Sequence, residues 1–351
     1  MQELLFWAAN ETPRHQRGLP ADDQELHSRW RLLEQASKVL AARLARTAEG
    51  PYEGKPEELR ERLDERFGSR NVWSASRLET YGACPFRFYV EVALSLQAKQ
   101  PPQLGLDASQ LGSLLHAVLE QVYRQADDPG DPDSVLEKLN KIARQAFRKA
   151  PAAYGFRPSL LWEKQQEYLL AALEKTIRKN AAYDPDWRPE YYELRFGLGG
   201  EPALLVQTSQ GQVQLRGVID RIDRNPSGEL RVLDYKTGGS HLTATDLIQG
   251  TRLQLPLYAL AAEQALNLGK VAEGLYWKIL KAEPGALKLA SFEYEDAYQG
   301  IEGAFELAEE HVGRFVNGIR SAQYPPEPPK GGCPSYCAAA SWCWRYSPST
   351  Y

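Results

Sequence analysis

Apolar residues follow two patterns along this chain, one at helical spacing and one in short runs. In the helical segments every third or fourth position is apolar, as at Leu111, Leu115, Val118 and Val122, which would share one helix face. Short apolar runs bounded by turn residues predict strands instead. Helices are predicted near 74–95, 109–126, 133–149, 159–183, 244–266 and 295–321, and strands near 190–198, 202–208, 212–222, 229–236, 271–281 and 286–294. This mixed order predicts an α/β domain.

The segment 1–72 differs in character from the rest of the chain. It is polar, and it contains a predicted helix rich in Ala and Leu over 22–48 and a strongly charged one over 56–67. Neither helix carries a recognisable chemical motif. We therefore expect a helical N-terminal arm over 1–72 and the main domain over 73–351.

Charged residues interrupt two of the predicted strands. Asp220 follows one apolar pair, and Asp234 follows another in the next strand. The residues 225–228 between them have strong turn chemistry, which predicts a hairpin. Asp234 and Lys236 are two apart, so on a strand they point to the same face. The register of such a hairpin can bring Asp220 beside Asp234.

Two neighbouring carboxylates repel each other unless a cation lies between them, and hard oxygen ligands suit Mg²⁺ or Mn²⁺. An ammonium group beside the metal, here Lys236, can orient an attacking water and stabilise charge on a phosphate. Asp220, Asp234 and Lys236 therefore predict metal-dependent cleavage of a phosphodiester. The alternative is a solvated strand face, because a D-x-K triplet alone occurs by chance in many proteins.

These two strands resemble the motifs of the PD-(D/E)xK nuclease superfamily, and most closely its RecB and AddB type of nuclease domain. The matching stretches are GVIDRID at 217–223 and VLDYKTG at 232–238, and the resemblance covers roughly 73–346. It implies a restriction-endonuclease-like core with a mixed central sheet flanked by helices. It also implies that Asp220, Asp234 and Lys236 form the metal site.

Further residues match motifs of the same family. His116 is the last residue of a G-x-x-x-H motif within the predicted helix near 109–126. The resemblance implies that it completes the metal shell, with the carbonyl of Tyr235 as an extra ligand. Gln254 and Tyr258 match Q-x-x-x-Y, and they would share a helix face from which both reach a phosphate or the lysine. Glu193 fits the acidic residue of the fold's first strand. Taken alone, His116 equally suits a packed histidine, and Glu193 a solvated carboxylate. Gln254 and Tyr258 equally suit an ordinary amphipathic helix.

The chain has four cysteines. Cys84 lies far upstream, and Cys333, Cys337 and Cys343 form a C-x3-C-x5-C group near the C-terminus. Four cysteines suit two disulfides in a secreted protein or a four-thiolate zinc site. The family resemblance implies instead a [4Fe–4S] cluster held by all four, with Cys84 on the helix that begins near 74. The commonest family spacing is C-x2-C-x5-C, from which this chain departs by one residue, and zinc remains the alternative.

Composition adds limits to this picture. The formal charge of -4 is not that of a typical high-affinity DNA binder, so a narrow basic path is expected. We find no apolar run long enough to span a membrane and no signal peptide at the start, and we expect a cytoplasmic protein. No G-x-x-x-x-G-K-[ST] motif occurs, so a helicase motor would lie on another chain or in a part removed from this one. The candidates for the basic path are Arg87, Arg221, Arg224, Lys278 and Lys281.

The resemblance implies an Mg²⁺-dependent deoxyribonuclease, an exonuclease acting on single-stranded or end-bearing DNA in recombination or repair. Its expected partners are DNA and a helicase or other repair subunit. In the expected mechanism His116, Asp220 and Asp234 hold Mg²⁺ while Lys236 orients the attacking water. One alternative is a DNA-binding structural subunit of a helicase–nuclease complex with a vestigial site, and another is a zinc-stapled nuclease without iron.

Overall fold

The structure is a computed structural model, and it describes residues 24–44, 54–98, 105–209, 211–238 and 242–348. The chain divides into two compact units. The first unit holds the described residues up to 68, then 84–98, and those from 318 onwards. The second unit holds 69–83 and the described residues between 105 and 317. A domain boundary at residue 72 stays a prediction.

The helices follow the predicted apolar spacing. In chain order they are α1 (Gln24–Leu44), α2 (Arg60–Phe67), α3 (Ala75–Ala83), α4 (Pro85–Phe88), α5 (Ala108–Gln125), α6 (Pro132–Tyr154), α7 (Leu160–Tyr183), α8 (Ala244–Ile248), α9 (Gln254–Leu260) and α10 (Gly300–Arg320). Short π-helical turns follow α4 at Tyr89–Ala93 and α9 at Ala261–Ala265. The predicted helix over 22–48 is found as α1, and its ends lie outside the described residues.

Within the described part of the second unit, seven strands form one mixed sheet. They are β1 (Val72–Ser74), β2 (Arg188–Phe196), β3 (Leu204–Thr208), β4 (Gly211–Arg224), β5 (Leu230–Lys236), β6 (Val271–Lys278) and β7 (Glu283–Lys288). Two short strands, β8 (Glu293–Tyr294) and β9 (Tyr298–Gln299), form a separate pair. The predicted mixed central sheet is confirmed.

The long strand β4 organises this sheet. Its first half pairs with β1 in parallel and with β3 antiparallel, and its second half pairs antiparallel with β2 and β5. Strand β5 then pairs in parallel with β6, which requires a crossover connection. That connection contains α8 and α9. The predicted hairpin of β4 and β5 is therefore present, and a helix that carries Gln254 and Tyr258 follows it.

Helices α5, α6 and α7 pack their apolar stripes against the β5–β6 side of the sheet. Leu115 and Val118 of α5 join Leu173 of α7 and Leu233 of β5 in one buried cluster. Burying such side chains contributes roughly 1.5–3 kcal/mol each before the entropy of ordering them is subtracted. The packing fixes α5, and with it His116, against the strands.

The first unit has a smaller aromatic core. Tyr324 is fully buried, with its ring 6.3 Å from that of Phe88 and 4.9 Å from that of Tyr89. Its backbone N–H donates to the carbonyl of Gly54 at 2.6 Å. Arg320 donates to the carbonyl of Phe67 at 2.8 Å. These contacts tie three separate stretches of the sequence into one unit.

Several boundaries differ from the predicted ones. The predicted helix over 74–95 breaks at Cys84, whose backbone is extended and precedes Pro85 of α4. A residue before proline is pushed out of the helical region, so Cys84 lies between two helices and not on one. The predicted helix over 244–266 is two helices with Gly250 at φ 72° between them. The last predicted helix begins at Gly300, and the strand near 286–294 is interrupted by a 3₁₀ turn at Leu289–Ser291.

None of the helices in the described ranges is long and apolar enough to cross a membrane.

Candidate metal centre

Three carboxylates lie in a row across three strands. Strand β2 pairs with β4 at Tyr192↔Arg221 and Leu194↔Ile219, so Glu193 lies opposite Asp220. Extending the β4–β5 pairing by one residue beyond Arg221↔Leu233 places Asp234 on the other side of Asp220. Like charges directly opposite each other destabilise a sheet. The row is therefore costly unless something positive lies among its members.

The backbone at Glu193 is strained. Its φ is 47°, in the left-handed region that non-glycine residues rarely adopt. The two residues on either side of it pair normally with β4, so the distortion is confined to this position. Strain of this kind is held in place by surrounding structure and clusters at functional sites.

His116 reaches this row from α5. Its Nδ1 lies 3.3 Å from Asp220 Oδ1 and 3.9 Å from Glu193 Oε1, and its Nε2 lies 3.1 Å from the carbonyl oxygen of Tyr235. Both ring nitrogens thus face acceptors. A neutral imidazole has one N–H, so only a doubly protonated ring or a ring bound to a cation satisfies both sides. Possible ligand atoms of His116, Glu193 and Asp220 all lie within 4.8 Å of one another.

Asp220 and Asp234 are held in different ways. Asp220 Oδ2 accepts the backbone N–H of Tyr235 at 2.7 Å. Asp234 is fully buried, and neither of its oxygens accepts a hydrogen bond of standard geometry from the described residues. Lys236 Nζ forms an ion pair with Asp234 Oδ2. A buried carboxylate with unused lone pairs is a suitable ligand for a metal ion.

Lys236 is fixed from two further directions. Its Nζ donates to Gln254 Oε1 at 2.8 Å and lies 5.5 Å from the centre of the Tyr276 ring. The Gln254 side chain is also within hydrogen-bonding reach of Tyr258. The predicted residues His116, Asp220, Asp234, Lys236, Gln254 and Tyr258 are therefore brought together, with Glu193 beside them.

The charges of this cluster shift its pKa values. Burial, together with the Asp220 carboxylate, raises the pKa of Glu193 to about 7. Burial raises the pKa of Asp234 to about 6, against the opposing effect of Lys236. Burial lowers the pKa of His116, but Asp220, Asp234 and Glu193 outweigh it and the net shift is upward. Glu193, Asp234 and His116 therefore keep their protons to a higher pH than isolated groups would, at the place where a cation would fit.

Gly217, the first residue of the GVIDRID stretch, is required by packing. A Cβ placed on it would come within 2.7 Å of the Tyr258 ring and within 2.8 Å of the Phe196 ring. The two rings meet edge to face at 5.5 Å. The absent side chain lets Tyr258 approach β4, which positions its hydroxyl toward Gln254.

Arg221 does not contribute to a surface path for DNA. It is 2% exposed, and it donates to Asp223 and, at 3.2 Å, to the Tyr235 hydroxyl. Arg231 donates to the same Asp223 at 2.8 Å. The expectation that Arg221 binds DNA is therefore wrong. The other candidates pair at the surface, Arg87 with Glu91, Arg224 with Glu190 and Lys278 with Glu283, while Lys281 is exposed.

Sequence reasoning missed this buried pair of arginines and also Glu79. Glu79 lies four residues after Ala75 and next to Leu78, both on the buried face of α3. A charged residue on an apolar helix face was the available signal. For Arg231 the signal was an arginine between the apolar residues Leu230 and Val232 of β5.

The four cysteines lie in the first unit, and all are free thiols. Cys84, Cys337 and Cys343 pack in one small apolar cluster with Phe86 and Val90. Burial raises the pKa of all three thiols, and neighbouring cysteines raise them further: Cys343 acts on Cys84, and Cys333 acts on Cys337 and Cys343. Thiols that would deprotonate reluctantly by themselves become thiolates when a metal binds them. This donor set fits a four-thiolate centre.

A mixed sheet flanked by helices, with three carboxylates and a lysine on adjoining strands and a histidine on a helix packed against them, is the arrangement expected of a metal-dependent nuclease. A family model described as the PD-(D/E)XK nuclease superfamily matches residues 72–344. The chain therefore belongs to the PD-(D/E)XK nuclease superfamily, which confirms the predicted family and fold.

Curated relatives carry one name, that of a subunit of an ATP-dependent helicase/deoxyribonuclease. The relative from Symbiobacterium thermophilum is 33% identical over 214 residues, covering 56% of this chain and 18% of the relative. The protein of the same name from Acetivibrio thermocellus is 30% identical over 216 residues, covering 57% and 18%. That from Moorella thermoacetica is 32% identical over 220 residues, covering 57% and 18%. The chain spans about a fifth of the length of these relatives.

Proposed function

We propose that this chain is a divalent-metal-dependent deoxyribonuclease that hydrolyses phosphodiester bonds as an exonuclease. The observation that carries the proposal is the row of Glu193, Asp220 and Asp234 facing His116 on one side and Lys236 on the other. No charge among the described side chains here fully balances three carboxylates. Family membership and the names of the relatives favour DNA as the substrate.

His116, Asp220, Asp234 and the carbonyl of Tyr235 would hold Mg²⁺ or Mn²⁺, with Glu193 as an additional ligand. A bound divalent ion lowers the pKa of a water and offsets negative charge on the phosphate. Lys236, anchored by Asp234 and Gln254, orients that water toward phosphorus. The water oxygen would form a bond to phosphorus as the bond from phosphorus to the leaving sugar oxygen breaks, with a proton of the water passing to solvent and the leaving oxygen taking up a proton from solvent. Gln254 and Tyr258 are proposed to contact a phosphate oxygen of the substrate.

The substrate is proposed to be single-stranded or end-bearing DNA, processed in recombination or repair in the cytoplasm. The relatives are named as helicase and deoxyribonuclease subunits, and this chain has no Walker motif. A helicase motor, on another chain or on a part of the protein outside this sequence, would then deliver the DNA end. Co-purification of the full chain with such a motor, and faster digestion when ATP is added, would support this part.

Digestion of end-labelled DNA tests the activity. Single- and double-stranded substrates are incubated with Mg²⁺, Mn²⁺ or EDTA, and a covalently closed circle serves as the control without ends. We expect digestion of the linear substrates only, with loss in EDTA. Cleavage of the circle would show an endonuclease. DNA binding without cleavage in either metal would favour the alternative, a vestigial structural subunit of a helicase–nuclease complex.

The four cysteines are proposed to hold one [4Fe–4S] cluster, with zinc as the alternative metal. The support is that four free thiols lie in one unit although Cys84 and Cys333 are far apart in sequence, and that burial raises the pKa of Cys84, Cys337 and Cys343. A centre of this kind stabilises a fold because metal binding is coupled to folding. It takes no part in hydrolysis.

Metal analysis of anaerobically purified protein tests the cluster. We expect about four iron atoms per chain, the content of one such cluster. Zinc without iron would refute the cluster and keep the four-thiolate site. Cys84→Ser should lower the melting temperature, whereas Ser341→Ala, at an exposed position of the same segment, should not. A Cys84→Ser protein as stable as the wild type would contradict a shared centre.

A further inference from the structure

Helix α9, which carries Gln254 and Tyr258, begins without a cap of its own. Its N-cap residue is Leu253, which offers no side-chain hydrogen bond. The first backbone N–H groups of any helix lack partners within the helix and need them from elsewhere. At α9 a residue of α3, 174 positions away from Leu253, accepts hydrogen bonds from these first N–H groups.

That residue is Glu79. Its Oε1 accepts the backbone N–H of Leu253 at 2.7 Å and that of Gln254 at 2.9 Å. Glu79 is 8% exposed, and its other oxygen lies 3.6 Å from Arg252. A buried carboxylate is costly unless charge-assisted hydrogen bonds satisfy it, so these two bonds are strong ones. The positive end of the helix dipole adds to them.

The anchored helix end is adjacent to Lys236. Gln254 is the first residue of α9, and its Oε1 accepts from Lys236 Nζ at 2.8 Å. The helix has seven residues before its hydrogen bonding changes to the π type at Ala261–Ala265. So short a helix has few internal hydrogen bonds to fix its direction, and the bonds at its start set where the Gln254 side chain points.

We propose that Glu79 is a positioning residue: by capping α9 it fixes Gln254, and Gln254 in turn holds the ammonium group of Lys236 beside Asp234. The inference rests on the proposed function, because it takes Lys236 to act in phosphodiester hydrolysis. Glu79 itself touches neither substrate nor metal ligand. Its effect should therefore fall on the chemical step and not on DNA binding.

Two substitutions separate the cap from a general loss of packing. Glu79→Ala removes both hydrogen bonds, and we expect kcat to fall about tenfold, the factor that roughly 1.4 kcal/mol of transition-state stabilisation gives, with KM unchanged. Glu79→Gln keeps an acceptor oxygen, and we expect it to lose no more than about threefold because neutral hydrogen bonds are weaker than charge-assisted ones. Asp131→Ala removes the cap of α6, where Asp131 accepts from Asp133 at 3.1 Å. It should lower the melting temperature and leave kcat as it is.

The route through Gln254 has its own test. In a Gln254→Leu background, Glu79→Ala should lower kcat by no further factor, since the connection to Lys236 is already cut. A full tenfold further loss there, or a Glu79→Ala enzyme with wild-type kcat, would overturn the proposal.

Hydrogen exchange of the peptide around 250–262 gives a readout that needs no activity. Glu79→Ala should speed exchange at the start of α9, and Glu79→Gln should not. If wild-type protein digests no DNA in any metal, the proposed function has failed, while the exchange result still decides whether Glu79 holds α9. Unchanged exchange in Glu79→Ala would remove the basis of the proposal even in an active enzyme.

Discussion

Two aspartates three positions apart on β4 lie in opposite electrostatic surroundings. Asp223 is fully buried, and it accepts hydrogen bonds from Arg221 at 3.0 Å and from Arg231 at 2.8 Å. Asp220, on the other face of the strand, is 9% exposed and lies between Glu193 and Asp234. On the Asp223 face, arginines balance the negative charge. The Asp220 face carries three carboxylates but only one histidine and one lysine.

The difference separates structural from functional use of a buried charge. Around Asp223 both carboxylate oxygens accept hydrogen bonds from arginines, and Arg221 also lies 4.7 Å from the centre of the Tyr123 ring and donates to the Tyr235 hydroxyl. This network fixes the side chain of Tyr235, which lies between Asp234 and Lys236. Around Asp220 the excess of negative charge raises the pKa values of Glu193 and Asp234. Perturbed groups of this kind cluster at functional sites, which supports the proposed cation site.

The largest effect is expected at the balanced face. Among the described residues, Asp223→Asn leaves Arg221 buried without a counter-charge and leaves Arg231 with only Asp184, whose Oδ2 lies 3.4 Å away. Breaking a buried ion pair by removing one partner typically costs about 3–5 kcal/mol, and the free energy of unfolding should fall by that amount. Urea denaturation measures it.

Glu190→Gln is the matched control for Asp223→Asn. Glu190 of β2 pairs near the surface with Arg224, the residue that follows Asp223 on β4. An exposed pair of this kind is worth about 0–1 kcal/mol. If both variants lost equally little stability, the buried network would not be the stabilising element that its hydrogen bonds indicate.

The next effect is expected at the unbalanced face. Asp220→Asn should leave the metal-free protein as stable as the wild type or more so, because it removes repulsion among carboxylates. Cleavage should fall by at least about 10²–10³-fold, the loss seen when one preorganised electrostatic contact is removed from an active site. Initial rates of digestion and thermal melting are the two measurements. A rate within a few-fold of the wild type would contradict the assignment of Asp220.

The smallest effect concerns pH. Because the pKa of Glu193 is raised to about 7 and that of Asp234 to about 6, the folded metal-free protein holds protons that the unfolded chain has released. Its stability should therefore fall as pH rises from the ordinary carboxyl range through about 7. A cation must displace these protons, so Mn²⁺ affinity should rise about tenfold between pH 6 and pH 8 on account of Glu193 alone.

Calorimetric titration with Mn²⁺ in two buffers of different ionisation enthalpy checks the last prediction. Proton release on binding should be present at pH 6 and absent at pH 8. Glu193→Gln should reduce the release at pH 6 and flatten the rise in affinity. A Mn²⁺ affinity that does not change over this range would mean that Glu193 does not lie in the metal's surroundings.

The sequence by itself was sufficient for the hairpin of β4 and β5, and for the proximity of Asp220, Asp234 and Lys236. Strand periodicity fixes which side chains share a face, and the turn at 225–228 fixes the register. The helical stripe of α5 likewise predicted the helix that carries His116. These are local patterns, set by chain geometry over a few residues.

Only the tertiary structure decided the rest. The strand pattern puts Asp223 on the same face as Arg221 and opposite Arg231, but only packing decided that this face is buried, and a surface role was expected for Arg221 instead. The packing of Tyr258 against Gly217 depends on a contact between distant parts of the chain. Glu79 caps a helix 174 positions away, a pairing that no local propensity encodes. Sequence patterns determine which elements form and which faces they bury, whereas the partner of a buried charge is fixed only when those faces meet.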